Sequence, residues 1–266
     1  MQRFVVTILV VLVCLAVFAS PVTAGDVLGP GDIAIIGFNS DDNSQFAFVC
    51  LKAISAGTII YFTDNGWVTT TDPQSFRSGE GRLTWDTPGG CQLGQIVTIN
   101  QYDLPTLGTF DLSDGGDQIL VYQGTDTSPS FIFAINFEGT TWQGSASGAN
   151  ASARPPGLDT TNSVAINEID NAIHTGGAEF NTPAKTFDSP SAALASIVIK
   201  ENWNGSNDVL QDMPTGYFSF TTTAVHLSEF SAETEAESAL WWIIAGLVVI
   251  PVLVMVVKRP KRECCK

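Results

Sequence analysis

Residues 32–63 read DIAIIGFNSDDNSQFAFVCLKAISAGTIIYFT. Three short runs stand out in this stretch: 32–38 (DIAIIGF), 46–52 (FAFVCLK) and 58–63 (TIIYFT). Each is rich in β-branched and aromatic residues, the side chains that suit a pleated, half-buried surface. Asn, Ser, Asp and Gly separate them and supply turns. In FAFVCLK the two-residue period of a strand places Phe46, Phe48 and Cys50 on one face and Ala47 and Val49 on the other. Cys50 therefore points inward, beside aromatic packing.

The pattern repeats downstream at 82–86 (RLTWD), 95–100 (QIVTIN), 118–123 (QILVYQ) and 130–136 (SFIFAIN), with turn clusters at 64–66 (DNG), 88–90 (PGG) and 114–117 (DGGD). Seven strands at this spacing predict a mainly β domain, a sandwich or barrel-like antiparallel sheet. With 24 Gly and 13 Pro in 266 residues, an all-helical chain is excluded. One helix of about ten residues is expected over 188–198 (DSPSAALASIV), which opens with capping residues and a proline suited to a first turn.

Both ends are apolar. Arg3 precedes an uncharged run from Phe4 to Phe18, and the small residues of 22–24 (VTA) follow. This predicts a signal peptide over 1–24, cleaved after Ala24. The second run, 240–257, has 18 residues without a charge and spans about 27 Å as a helix, close to the hydrocarbon thickness of a bilayer. Trp241 and Trp242 mark its outer end, and Lys258, Arg259, Lys261 and Arg262 follow its inner end. The expectation is a single transmembrane helix with type I topology. An extracellular or luminal domain over 25–224 and an acidic stalk over 225–239 precede it, and a basic cytoplasmic tail over 258–266 follows. Cys264 and Cys265 lie just past the span, where the pair is either S-acylated or free.

Residues 25–239 hold 6 Lys/Arg against 26 Asp/Glu, a net charge of −20. Such a surface repels phosphate backbones, so nucleic acid is excluded as a partner. The outer domain has two cysteines, Cys50 and Cys91. In an oxidising compartment they are expected to form one disulfide, worth about 4 kcal/mol in the chain-entropy model; the alternative is two buried thiols. Asn150 and Asn204 head N-x-S/T sequons in loop-like segments and are predicted glycosylation sites.

No nucleophile–base signature is present, so no catalytic residue is assigned. Of the two histidines, His174 reads as a surface loop residue and His226 belongs to the stalk. Glu80, Glu168 and Asp170 are the carboxylates that a glycoside-hydrolase chemistry would draw on. Calcium is the possible cofactor. Asp41, Asp42 and Asn43 make one oxygen-rich turn, and Asp111, Asp114 and Asp117 make a second, although Asp-Gly turns also arise for backbone reasons. Trp67, Trp142 and Trp203 each stand near Gly or Asn in a predicted loop. They are either ligand-binding rings, for a glycan or a cell-surface protein, or core plugs.

A set of motifs goes further than periodicity. GDIA (31–34), FAF (46–48), AGT (56–58), YFTDNGW (61–67), GEG (79–81), LTW (83–85), GDQ (116–118), PPGL (155–158), EIDN (168–171) and NWNG (202–205) together resemble a family of extracellular β-rich domains of modular secreted and surface proteins, mostly bacterial. The resemblance spans residues 28–222 and implies a surface module. That family has no assigned activity, so it implies no catalytic site. Three functional classes follow: an adhesion or ligand-binding domain, a carboxylate-dependent extracellular hydrolase, and a structural envelope component. The first is the leading expectation.

Overall fold

A computed structural model describes residues 25–221 apart from 88 and 177–184. The predicted signal peptide, stalk, membrane span and tail, with Cys264 and Cys265, therefore lie outside the described residues. Among the described residues, no helix is long and apolar enough to cross a membrane.

All seven predicted runs are strands. In chain order the strands are β1 (Ile33–Asn39), β2 (Gln45–Cys50), β3 (Ile59–Thr63), β4 (Trp67–Val68), β5 (Ser75–Phe76), β6 (Arg82–Asp86), β7 (Ile96–Asn100), β8 (Thr106–Leu107), β9 (Gln118–Thr125), β10 (Ser128–Asn136), β11 (Ser163–Ala165), β12 (Asn171–His174), β13 (Thr186–Phe187), β14 (Trp203–Ser206) and β15 (Ser219–Phe220). The elements that sequence reading missed are two to four residues long, too short to carry a visible alternation. The predicted helix is α1 (Pro190–Ile197), shorter than expected. Ser189 caps it by accepting from the Ala192 amide at 3.1 Å.

Two sheets carry the fold, one in the order β14-β12-β1-β2-β7 and the other in the order β11-β10-β9-β3-β6-β8. Pairing is antiparallel except between β10 and β11 and between β13 and β15. The sheets face each other across one apolar core. Phe46 and Phe48 of β2 meet Phe62 of β3 at 4.9 and 5.1 Å between ring centroids, and Phe48 meets Trp85 of β6 at 4.8 Å. The β2 alternation thus delivers its aromatic face as read, but Ala47 and Val49 are buried too. Chain on the far side explains this. Met213 and Pro214 lie over Gly37, the register partner of Ala47, the Thr98 hydroxyl donates to Pro214, and α1 buries Ala193 and Ile197 in the same core. Cys50 and Cys91 form the expected disulfide, with 6.4 Å between their Cα atoms.

Candidate functional site

Two concave regions concentrate the polar residues that sequence reading singled out. The first is acidic and is assembled by two sealed carboxylates. Asp64 follows β3 and is fully buried; its two oxygens accept from the amides of Gly81 and Asp111, each at 2.8 Å. A side chain at Gly81 would collide with the backbone of Thr109 and Phe110, so only glycine lets these loops meet. Asp117 is equally buried. It accepts from the amide of Ser113 at 3.0 Å and from the amide and side chain of Gln118 at 2.8 and 2.7 Å. Ser44 completes the joint by donating to Asp111 at 3.1 Å and accepting from the Leu112 amide at 2.7 Å.

These ties bring the two predicted oxygen-rich turns to one place. Asp41, Asp42, Glu80, Asp111 and Asp114 line a single cavity of about 480 Å³, with Asn150 at its edge. Asp117 does not line it and serves as a loop pin. Crowding shows in the titration. Burial first, then the Asp64 carboxylate, pushes Glu80 up to about 8, with Arg77 opposing. Burial raises Asp64 to about 6 against the pull of its two amide donors. Asp117 is raised well above the usual carboxylate range by burial, its amide donors again opposing. Glu80 Oε2 is buried without a hydrogen-bond partner. Among the described residues no three His, Cys, Asp or Glu side chains stand where they would hold a metal ion.

The second region is built from Trp142 and Trp203. The 138–154 loop is tied down by the bridge between Gln143 and Ala153 and by the Trp67 carbonyl, which accepts from the Ala146 and Ala153 amides at 3.0 and 3.1 Å. Asn136 holds the Thr141 carbonyl at 3.1 Å. Trp142 thereby lines a cavity of about 620 Å³ together with Arg154, Ser163 and the turn Lys200–Glu201. Trp203 lines an adjoining cavity of about 360 Å³ that shares Lys200 and Glu201 as its wall. The Trp203 indole N–H is already engaged, donating to the Ile197 carbonyl at the end of α1 at 2.8 Å. Trp142 Nε1 and Arg154 Nε are not engaged, and both are buried donors without an acceptor.

Other expectations land elsewhere. Trp67 is 3% exposed and packs edge-on against Phe76 and Phe131, each 5.1 Å away; it is a core side chain and offers no ring to a ligand. His174 is 1% exposed, not a loop residue. It lies in β12, facing Trp203 and Phe187, bonded to the Ser196 hydroxyl at 3.0 Å and depressed to about 4 by burial. Asp170 is buried, and its carboxyl is raised by burial and by Asp41 and Asp114, whereas Glu168 is exposed. Asn150 is half-buried with its amide on Ser113 at 2.8 Å, and Asn204 is in β14 rather than a loop.

Arg154 escaped sequence reading, and its signal is only scarcity: it is one of six cations between residues 25 and 239. No protein family, curated protein or solved structure matches the chain.

Proposed function

We propose that the chain is a single-pass membrane protein whose outer domain is a non-catalytic recognition module, binding a glycan or cell-surface protein through the Trp142–Trp203 face. The observation that carries this reading is the adjacency of the two tryptophans in cavities that share the Lys200–Glu201 wall. Concave sites lined by aromatic surface with a few convergent polar groups are where small ligands bind. The uncharged run of 240–257 with its basic flank supports the anchoring, and the motif resemblance supports a surface module.

Binding by the purified full-length protein tests the reading. Trp142→Ala is expected to cost about 2 kcal/mol of binding or more, as anchoring rings do, with melting lowered less than by loss of the fully buried Trp67. Trp67→Ala is expected to lower melting instead, by about 4 kcal/mol of stability. Equal binding by wild type and Trp142→Ala would remove the assignment.

The hydrolase reading has one observation in its favour. Glu80 lines the acidic cavity and titrates near 8, so it is protonated at neutral pH and able to donate a proton. A second carboxylate would have to come from Asp41, Asp42, Asp111 or Asp114, since backbone amides hold both oxygens of Asp64 and Asp117. Glycan hydrolysis that disappears in Glu80→Gln would establish it.

A further inference from the structure

We propose that the cavity of Trp142, Arg154 and Lys200 is a carboxylate site whose occupant is an acidic saccharide, one carrying a uronic or sialic acid. The proposal rests on the recognition reading above and assigns its ligand class.

The argument begins with Arg154. Acids outnumber cations about fourfold in residues 25–239, so a guanidinium that finds no carboxylate does not lack supply. Among the described residues the ion pairs are Lys52–Asp32, Arg82–Asp126 and Lys200–Glu201; Arg154 is in none. Asp159 feels the arginine, but its lowered titration owes more to Thr161. Burying a charged N–H without an acceptor is costly, and buried donors in folded proteins are nearly always satisfied.

Trp142, whose Nε1 is a second such donor, lines the same cavity. Lys200 adds a half-exposed ammonium whose ion pair, to its own sequence neighbour, is long at 3.9 Å. Trp142, Arg154 and Lys200, two of them cationic, therefore line one concavity in an otherwise anionic domain. A planar carboxylate matches a guanidinium in shape and charge.

The rest of the lining favours a sugar as the bearer of that carboxylate. Thr141 and Thr160 present hydroxyls that exchange hydrogen bonds with sugar hydroxyls, and the Trp142 ring offers an apolar face. Glu201, in the same wall, turns away anions that cannot pair with Arg154 at once. The acidic cavity, by contrast, repels any anion.

The test uses full-length protein and oligosaccharides containing uronic or sialic acid, each paired with its methyl ester. The free acids are expected to bind, and esterification to weaken them roughly tenfold to a hundredfold. Arg154→Gln should reduce acid binding to the ester level. Arg154→Lys, which keeps the charge and loses the planar fork, and Trp142→Phe, which keeps a ring and loses the N–H, should each weaken it several-fold. Melting is followed throughout; if Arg154→Gln fails to fold, the ester pairs and Arg154→Lys still decide.

Equal binding of acid and ester overturns the carboxylate assignment and leaves the recognition reading standing, provided Trp142→Ala still abolishes binding. An acidic peptide that binds more tightly, with the same dependence on Arg154, overturns the saccharide assignment. If acidic sugars, neutral sugars and acidic peptides all fail to bind, the recognition reading falls with it.

Discussion

The two cavities differ in what has been done with their polar atoms. In the acidic one the carboxylates behind the wall are tied: Asp64 and Asp117 between them accept from four backbone amides and a glutamine side chain. In the tryptophan-lined one the buried donors of Trp142 and Arg154 are open, whereas the open buried atom of the acidic one is a carboxyl oxygen, Glu80 Oε2. Backbone amides seek acceptors wherever loops are buried, so an accumulation of aspartates can be the fastening of the loops themselves. An unanswered donor has no such internal use. It is the leftover group, more than the abundant one, that points outward to a ligand.

The largest effect that would sharpen this contrast is on stability. Asp117→Ala strands the Ser113 and Gln118 amides and the Gln118 side chain, and is expected to cost about 3 kcal/mol. Trp142→Ala, on a partly buried ring packed against the Trp67 cluster, should cost less, about 1 kcal/mol. Denaturant titration of both variants checks the pair, and an Asp117→Ala protein as stable as wild type would break the contrast.

The regions also titrate in opposite senses. His174, beside Trp203, stays neutral in the fold down to about 4 but takes up a proton near 6.5 when unfolded. Its side of the molecule should lose roughly 3 kcal/mol as pH falls from 6.5 to 4, and no more below that. His174→Phe should flatten this limb of a melting-versus-pH curve; an unchanged limb would place the acid sensitivity elsewhere.

On the acidic side the folded carboxyls titrate high, so their contribution is complete below about 4 and is lost as pH rises through about 6 for Asp64 and about 8 for Glu80. Glu80→Gln cannot ionise. It should melt a few degrees above wild type at pH 8.5 and close to wild type at pH 5. A gain of the same size at both pH values would mean that packing, not charge, is responsible.

Local signals were legible and convergent ones were not. The strands with five or more patterned residues, the capped helix and the Cys50–Cys91 pair follow from short-range periodicity, capping chemistry and compartment. The meeting of the 41–43 and 111–114 turns is set by long-range ties, Ser44 to Asp111 and Leu112 and Asp64 to the Asp111 amide, which no window of sequence displays. His174 sits in a four-residue strand whose partner, Trp203, lies 29 positions on, so the run NAIH looks like loop until β14 is placed beside it. Trp67 follows an Asn-Gly turn and reads as exposed, yet its ring turns back between Phe76 and Phe131.

The position of β1 in its sheet has a consequence for how the chain acquires its structure. β1 is the first of the described strands to be made, yet it lies between β2, its neighbour in sequence, and β12, whose residues Asn171–His174 come more than 130 positions later. One edge of β1 pairs within moments of synthesis, while the other waits until about three quarters of the domain has been extruded. A fold closed by so distant a pairing has high contact order and forms slowly. Until β12 arrives, the growing chain carries the apolar run IAIIGF with an unpaired edge, the segment that most needs protection from other chains during assembly.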